Sequence, residues 1–140
     1  MYCSQQGFAL RNSLITIAII IALLAVIITQ LPKGYSDDVS KIGKGSNVAL
    51  LLHDKNSVTS LDMMGFMDDI RYDYEGKVDF MVVNMSVSTP MERAFVQQQE
   101  LNHAALILFS PDGMRLNAFA SIQDSGGLRK ALDETFHLKQ

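Results

Sequence analysis

The sequence has almost no cysteine, because Cys3 is the one thiol among 140 residues. It precedes a long apolar run, so everything that follows the run is without a thiol. This excludes an intramolecular disulfide, a dithiol pair for exchange chemistry and a metal site built from thiolates. Cys3 itself is either acylated or a free thiol. It is not a lipoprotein signal, because the apolar run follows it instead of preceding it.

Basic side chains are also scarce in the larger part of the chain. Residues 46–140 contain thirteen acidic and eight basic side chains, a net charge of −5, whereas residues 1–45 contain two acidic and four basic ones. A domain with this charge repels phosphate backbones, which excludes nucleic acid as a partner. The chain has no internal repeat or low-complexity tract. We expect no cofactor and no resident metal.

One long apolar run is present, LITIAIIIALLAVIITQL at residues 14–31. It carries no charge, and as a helix it spans about 27 Å, close to the thickness of a bilayer core. We predict a transmembrane helix that Pro32 ends. A retained signal anchor is favoured over a cleaved signal peptide, because such peptides have shorter apolar cores and a small-residue cleavage site. A buried core helix this uniform would need a much larger protein.

The charges that flank the run bear on its orientation. The N-terminal tail, residues 1–13, carries Arg11, whereas Lys33, Lys41 and Lys44 follow the run together with two aspartates. The lysines that follow the run disfavour translocation of the C-terminal side across the membrane. A short tail without a basic run is nevertheless typical of signal anchors. We therefore predict a single-pass protein with a cytoplasmic N-terminus and a periplasmic or lumenal C-terminal domain.

Small residues recur along one face of the predicted membrane helix. Ala18, Ala22, Ala25 and Thr29 follow one another at helical spacing, and small side chains let helices approach closely in lipid. We predict a helix–helix interface with an integral membrane partner, although alanine is also common in such helices. The stretch GFALRNSLITIAIIIALLAVIITQ also resembles the start of a type IV pilin. Asn12 stands where that family has a glutamate, and a basic leader is missing, so a pilin-like protein is an alternative.

Beyond a linker predicted for residues 32–46, strands and helices alternate through residues 47–140. The predicted strands are VALLLH, KVDFMVVNM, AALILF and MRLNAFA, with the turn SPDG before the last of them. The apolar face of the first helix consists of Met63, Phe66, Met67, Ile70 and Tyr74, with Thr59 or Ser60 as its cap. The second helix begins at Pro90 and runs to about Leu101, and the third has an apolar stripe of Leu128, Ala131, Leu132 and Phe136.

This order, βαβαββα, predicts an α/β domain in which a mixed sheet is flanked by helices. We expect the first two connections to join parallel strands and the SPDG hairpin to add an antiparallel one. The strings MDDIRYDYEGKVDFMVVN, ALILFSPDG and GGLRKALDETF, in this order and spacing, resemble the thioredoxin family over about residues 47–137. The resemblance implies a thioredoxin-like fold for this domain.

The resemblance also implies where the family's redox motif would lie. The two cysteine positions fall on Ser57 and Ser60, the tryptophan position on Asn56, and the cis-proline position on Ala104. A serine forms neither a thiolate nor a disulfide, so the resemblance implies a redox-inactive member of the family. A cis peptide before a residue other than proline costs about 2.5–4 kcal/mol, so we expect a trans peptide at Ala104.

Two other kinds of site are conceivable at the same edge of the domain. Ser57 could be a nucleophile with His53 or His103 as base and Asp54 as the orienting group, but Ser-x-x-Ser before a helix is ordinary capping chemistry. The two histidines could hold a metal, but ordinary loop histidines are the favoured interpretation.

Several methionines and one sequon also lie in the predicted domain. We assign Met63, Met67 and Met81 to the core and place Met64 or Met85 at an interface. Asn84-Met85-Ser86 matches a glycosylation sequon, a motif that is common by chance.

These observations predict a non-enzymatic protein that acts through protein–protein contacts. The favoured function is an accessory or assembly subunit of a larger membrane complex. The predicted contact groove is lined by His53, Asp54, Asn56, Asn102 and His103. A chaperone-like protein that binds passing clients in the periplasm or lumen is the alternative, and an enzyme that uses serine or a metal is the residual one. Ser57→Ala combined with Ser60→Ala is expected to leave biological activity intact.

Overall fold

A computed structural model describes residues 6–30, 34–86 and 89–139 of the chain. The chain divides into two compact units between Gly34 and Tyr35. The first unit contains helix α1, Gln6–Gln30. The second contains strands β1 (Asn47–His53), β2 (Val78–Asn84), β3 (Ala105–Phe109) and β4 (Arg115–Phe119), and helices α2 (Val58–Ile70), α3 (Pro90–Gln98) and α4 (Ser125–Phe136). The predicted mixed α/β class is therefore confirmed.

Helix α1 is apolar on every side. Its window Asn12–Thr29 has a mean hydropathy of 2.6, and no part of that window is buried. A helix of this length and composition can cross a bilayer, and a signal sequence has the same properties. The helix begins well before Leu14, where the predicted span starts. The predicted end of the span at Leu31 and Pro32 lies outside the described residues.

The sheet has the strand order β2-β1-β3-β4. Strands β1 and β2 are parallel, from the pair Asn47–Val78 to the pair His53–Asn84. Strand β3 runs antiparallel to β1 and to β4. The expectation that the second connection joins parallel strands is therefore wrong, because only the first one does.

The two connections contain helices of different length. Helix α2 has thirteen residues and spans about 20 Å, which matches a seven-residue strand of about 23 Å, so it carries the chain back across the sheet. Helix α3 has nine residues and spans only about 14 Å. The pairings of β1 with β2 and with β3 show that the chain enters β3 from the edge at which β2 ended. The apolar run of β3 gives no sign of this, because a strand buried on both faces has the same composition in either direction.

Side chains fill both faces of the sheet. Strands β1 and β3 are buried along their length, as continuous apolar runs predict. One face packs against α2 and α4, and its buried residues include Ala49, Leu51, Leu106, Leu108, Met63, Met67, Ile70, Leu128 and Leu132. The other face is covered by α3 and the chain before β1, and its buried residues include Val39, Val48, Leu50, Leu52, Met81, Val83, Ile107 and Phe109.

The predicted linker, residues 32–46, is shorter than expected because the chain joins the domain at Tyr35. Val39 begins a 3-10 turn and is buried against the sheet. The Val82 N–H donates to the Ser36 carbonyl oxygen at 3.0 Å, so this segment extends the edge of β2. The Gly45 N–H donates to the Pro111 carbonyl oxygen at 3.0 Å. Val39 is a single apolar residue among glycines and charged residues, so it forms no periodic pattern. The sequence therefore did not predict that this segment packs on the sheet.

Helix α2 begins earlier than Thr59 or Ser60, the caps predicted from its apolar face, whereas the capping predicted for Ser57 is confirmed. Ser57 is the N-cap residue and its hydroxyl accepts from the Ser60 N–H, whereas Thr59 and Ser60 lie within the helix. The predicted apolar face is buried at Met63, Met67 and Ile70, and the helix ends there. Tyr74 follows in a turn and is still only 6% exposed. Helix α3 ends at Gln98, short of Leu101, and it begins with a capping box between Thr89 and Glu92.

The assignment of Met63, Met67 and Met81 to the core is confirmed, since each is at most 1% exposed. Met64 and Met85 are half-buried. The methionines with large exposed fractions are instead Met91, at 62%, and Met114, at 61%. The sequence did not single them out. Met91 follows Pro90 at the start of α3, and Met114 follows Gly113 just before β4, where an apolar period is not yet defined.

Tyr74 joins the turn after α2 to helix α4. Its hydroxyl donates to the Asp133 carboxylate at 2.8 Å. Burial, followed by this hydrogen bond, raises the pKa of Tyr74 to about 12. An unfolded tyrosine titrates near 10, so above that pH the unfolded chain releases a proton that the folded chain retains. The stabilisation is complete below pH of about 10 and is lost as the pH rises through the folded pKa.

We therefore expect Tyr74→Phe to weaken the dependence of stability on alkaline pH. Near neutral pH the variant should be less stable by about 1 kcal/mol, because one hydrogen bond is lost. Between pH values of about 10 and 12 its thermal midpoint should fall less than that of the wild type. Thermal unfolding followed by circular dichroism at several pH values checks this. Tyr72→Phe, which changes an exposed ring, is the control, and parallel curves for wild type and Tyr74→Phe would contradict the expectation.

Candidate functional site

The candidate site lies where β1 ends and α2 begins. His53 is the last residue of β1, and Ser57 caps α2 four residues later. Ala105, the first residue of β3, pairs with Leu52 of β1. Ala104 is therefore placed at the same edge of the sheet as His53. The residues that the thioredoxin resemblance assigns to a redox motif thus come from two segments that end at one edge.

Ser60 is at the centre of this arrangement, and it is fully buried. Its hydroxyl oxygen accepts from the Asp54 N–H at 3.1 Å. The same oxygen lies 2.8 Å from the His53 Nδ1 atom, with the donor set by the histidine tautomer. Ser60 therefore ties the first turn of α2 to the end of β1. A buried hydroxyl with two partners is not available to an external substrate.

Ser57 and Asp54 complete the local turn. The Ser57 hydroxyl accepts from the Ser60 N–H at 3.3 Å, and the Ser57 N–H donates to the Asp54 carbonyl oxygen at 2.9 Å. The Asp54 carboxylate accepts from the Asn56 N–H at 2.9 Å. Each side chain thus has a structural partner of its own. The arrangement of Ser57, a histidine and Asp54 that nucleophilic catalysis would need does not appear in these contacts.

The loop before β3 supplies the remaining residues of the predicted groove. Asn102 and His103 are exposed, and the His103 Nδ1 atom lies 3.2 Å from the Asn102 Oδ1 atom. Ala104 is 8% exposed, and no peptide bond among the described residues is cis. The other histidine of the predicted groove, His53, contacts Ser60. Within the described ranges, no group of three or more His, Cys, Asp or Glu side chains is placed to hold a metal ion.

Two apolar side chains beside this site were missed by the sequence analysis. Val58 is 71% exposed and Leu61 is 46% exposed, and both lie in the first turns of α2. They are three residues apart, so they share a face of the helix that points away from the core. The sequence analysis followed only the inward stripe of α2. The sequence does contain a signal for them, because Val58 and Leu61 are apolar residues that lie off the helix face formed by Met63, Met67 and Ile70.

The small residues predicted to face a partner helix are exposed on α1. Ala18, Ala22, Ala25 and Thr29 all lie within the exposed stretch, and their spacing places them on one face of the helix. The Thr29 hydroxyl donates to the Val26 carbonyl oxygen at 2.8 Å, and the Thr16 hydroxyl donates within the same helix. The polar groups of these threonines are therefore satisfied inside the helix, as an apolar environment requires.

Ser57→Ala is expected to lower the free energy of unfolding by about 1 kcal/mol, because it removes the N-cap hydroxyl of α2. Urea unfolding of the full chain in mild detergent, followed by circular dichroism, measures this loss. Thr59→Ala is the matched control, since Thr59 is exposed in the same turn. It should change stability by less than about 0.5 kcal/mol. Equal losses in the two variants would argue against Ser57 as the cap.

The comparisons with known proteins give a fold and no function. No model of a known protein family matches the chain, and no curated protein matches it. A solved structure, described as that of a malarial protein, is similar with a TM-score of 0.54 and 12% sequence identity. The similarity covers 64% of this chain and 97% of that one. At this identity the likeness shows the fold alone.

Proposed function

We propose that this chain is a membrane-anchored, redox-inactive thioredoxin-like protein that serves as an accessory or assembly subunit of a membrane complex. The element order βαβαββα, which the resemblance is based on, supports a thioredoxin-like domain. So does the position of Ser57 and Ser60 at the start of α2, directly after β1. Ala104, where the family has its cis-proline, is at the same edge of the sheet.

The observation that carries the non-catalytic part of this proposal is that both cysteine positions hold serines, whose hydroxyls bond within the domain. A redox-active relative needs a thiolate that reaches its substrate. Here the Ser57 hydroxyl caps α2, and the Ser60 hydroxyl is buried and bonded to Asp54 and His53, so both hydroxyls serve the fold. Neither position has a thiol. A domain of this kind keeps a stable scaffold whose surface is free to bind another protein.

The proposed anchoring rests on α1, which is long and apolar enough to span a bilayer. We propose a retained signal anchor, with a cytoplasmic N-terminus and the domain in the periplasm or lumen. The face formed by Ala18, Ala22, Ala25 and Thr29 would pack against a helix of an integral membrane partner. Helices associate in lipid by close packing, since lipid chains are as apolar as the side chains themselves.

Purification of the native protein in mild detergent, with mass spectrometry of what remains bound, tests this proposal. We expect a defined set of integral membrane proteins at constant stoichiometry. The triple change Ala18→Leu, Ala22→Leu and Ala25→Leu should fill the small-residue face and reduce co-purification at least tenfold. The matched control changes Ile20→Leu, Leu24→Ile and Ile27→Leu on the opposite face and should behave as wild type. Purification as a lone monomer would contradict the subunit proposal.

A second function, client binding, is favoured by the exposed pair Val58 and Leu61. Exposed apolar side chains suit weak contacts with unfolded or extended segments. Under this alternative, Val58→Ser with Leu61→Ser would abolish the capture of substoichiometric soluble proteins. Under the subunit proposal, the same double variant keeps its membrane partners as long as they bind through α1.

A further inference from the structure

The two lateral edges of the sheet, formed by β2 and β4, differ in what covers them. Beside β2, the Val82 N–H donates to the Ser36 carbonyl oxygen, so a segment of the same chain covers that strand. Strand β4 pairs with β3, and no other described segment of the chain pairs with it. Four of the five residues of β4 are exposed, whereas β3 is buried along its length. We call the outer side of β4 the β4 edge.

The backbone of Ala118 is directed toward the β4 edge. Its N–H donates to the Oδ1 atom of the Asn117 side chain at 2.9 Å. Ala118 lies opposite Ile107 in the antiparallel pairing of β4 with β3. In such a pairing every second residue turns both its N–H and its C=O away from the neighbouring strand. Because the Ala118 N–H is bonded to a side chain, we assign Ala118 to that outward set.

The side chain of Asn117 shows which chemical group the β4 edge accepts. Its oxygen is an amide carbonyl, the same group that a strand presents along its backbone. Bonded to the Ala118 N–H, it takes the place of a carbonyl from an added strand. The occupant that can replace it and also donate to the Ala118 carbonyl is the backbone of another strand. Exposed strand edges are known sites for such pairing between chains.

A second copy of β4 meets this requirement without opposing like charges. Arg115 is the one charged residue of the strand, and its side chain donates to the Gln99 carbonyl oxygen at 3.0 Å. If two β4 strands pair antiparallel about an axis at Ala118, the two Arg115 side chains lie at opposite ends of the pair. The small side chain of Ala118 lets the backbones approach at the axis. A two-fold axis also makes each edge the exact complement of the other, as in most homodimers.

The space beside β4 is open on the side of α4. A groove of about 570 Å³ lies between the two elements, and Leu116, Phe119 and Ala131 are among the residues that line it. Helix α4 therefore does not cover the β4 edge. Leu116 is 44% exposed and Met114, just before the strand, is 61% exposed. Pairing with a second copy gives these apolar side chains a surface to pack against.

We propose that the chain forms a two-fold symmetric homodimer in which the β4 strands of two copies pair antiparallel. Two sheets of four strands then become one continuous sheet. Ala118 of each copy exchanges both backbone hydrogen bonds with Ala118 of the other, and Asn117 releases the N–H that it caps. This inference goes beyond the proposed subunit function and uses contacts of the folded domain only.

Sedimentation equilibrium of the full chain in mild detergent tests the proposal, and we expect a monomer–dimer equilibrium. Ala118→Pro removes the outward N–H, a change that an edge strand tolerates, and should raise the dimer dissociation constant at least about tenfold. Ala118→Lys places a charge at the axis and should have the same effect. Thr59→Lys, which adds the same charge at an exposed position of α2, is the matched control and should dimerise as wild type. Circular dichroism confirms that each variant is folded, and the lysine variant decides if the proline variant is not.

Asn117→Ala gives a result of the opposite sign. It removes the side chain that competes for the Ala118 N–H, so the dimer dissociation constant should fall, by about threefold or more. A role of Asn117 in the monomer alone would leave this constant unchanged or raise it.

The same measurement separates pairing at β4 from association through α1. The triple variant Ala18→Leu, Ala22→Leu and Ala25→Leu should still dimerise if β4 forms the interface. A dimer that this variant loses and that both Ala118 variants keep would assign association to α1 and overturn the β4 pairing. A monomer at every concentration would also overturn it. Neither result bears on the subunit proposal, which co-purification of membrane partners tests.

Discussion

Gly113→Ala is expected to destabilise the domain by roughly 2–4 kcal/mol, from backbone strain and overpacking together. Gly113 lies in the turn between β3 and β4 with φ of +88°, a conformation that L-residues rarely adopt. A Cβ atom at this position would lie 3.1 Å from the Cα atom of Gly43, which is backbone and cannot move aside easily. The turn and the segment before β1 would therefore have to separate, and Gly45 would lose its hydrogen bond to Pro111.

Two other glycines separate the causes of this loss. Gly45 has φ of +101° but no atom within 4 Å of an added Cβ, so Gly45→Ala measures strain alone, about 1–2 kcal/mol. Gly65 lies within α2 with open space around it and no positive φ, so Gly65→Ala should stabilise by about 0.5–1 kcal/mol. Urea unfolding of the full chain in detergent gives all three values. If Gly113→Ala cost no more than Gly45→Ala, the close approach of the two backbones would not matter.

Ser60→Val should be the second most damaging of these changes, with a loss of about 1–3 kcal/mol. Valine cannot accept from the Asp54 N–H or bond to the His53 Nδ1 atom. It is also one methyl group larger than serine at a fully buried position, which adds to the loss. The Asp54 N–H and the His53 Nδ1 atom then lack their hydrogen-bond partner. They lie at the edge of the core, where a water molecule cannot easily take the place of the hydroxyl. The free energy of unfolding, again from urea titration, measures this cost.

Thr59→Val is the matched control for Ser60→Val, because it removes a hydroxyl from the next position of the same helical turn. Thr59 is exposed, so its replacement should change stability by less than about 0.5 kcal/mol. A small effect at both positions would show that the Ser60 hydroxyl is dispensable, and it would weaken the argument that this serine serves the fold. Partner binding should persist in Ser60→Val under conditions in which the domain remains folded, because the proposed function uses its surface.

If the subunit proposal holds, the protein has two distinct working surfaces, one on each of its compact units. The face of α1 with small residues would bind another membrane helix. The edge with His53, Asn102 and His103 would remain exposed for proteins, with Val58 and Leu61 beside it. A redox-active domain needs a thiolate in this turn. Here the Ser57 hydroxyl caps α2 and the Ser60 hydroxyl bonds to Asp54 and His53, so both stabilise the fold.

The sequence by itself determined the features that depend on local composition. The length and apolarity of residues 14–31 specify a helix that can span a bilayer, whatever else the chain does. The continuous apolar runs of β1 and β3 specify strands buried on both faces. The spacing of Met63, Met67 and Ile70 specifies the inward face of α2. The lack of a thiol at Ser57 and Ser60 excludes disulfide exchange without any structure. Each of these follows from a few neighbouring residues.

Only the tertiary structure decided the direction of β3, the docking of Tyr35 and Val39, and the partners of Ser60. Periodicity reports how deeply a residue is buried, but it does not report what covers it or from which end a strand is entered. Val39 is one apolar residue in a polar segment, so its burial depends on a sheet formed by residues far along the chain. Ser60 is polar and yet fully buried, because Asp54 and His53 satisfy its hydroxyl. Contacts between distant segments fix these features, and no local pattern encodes them.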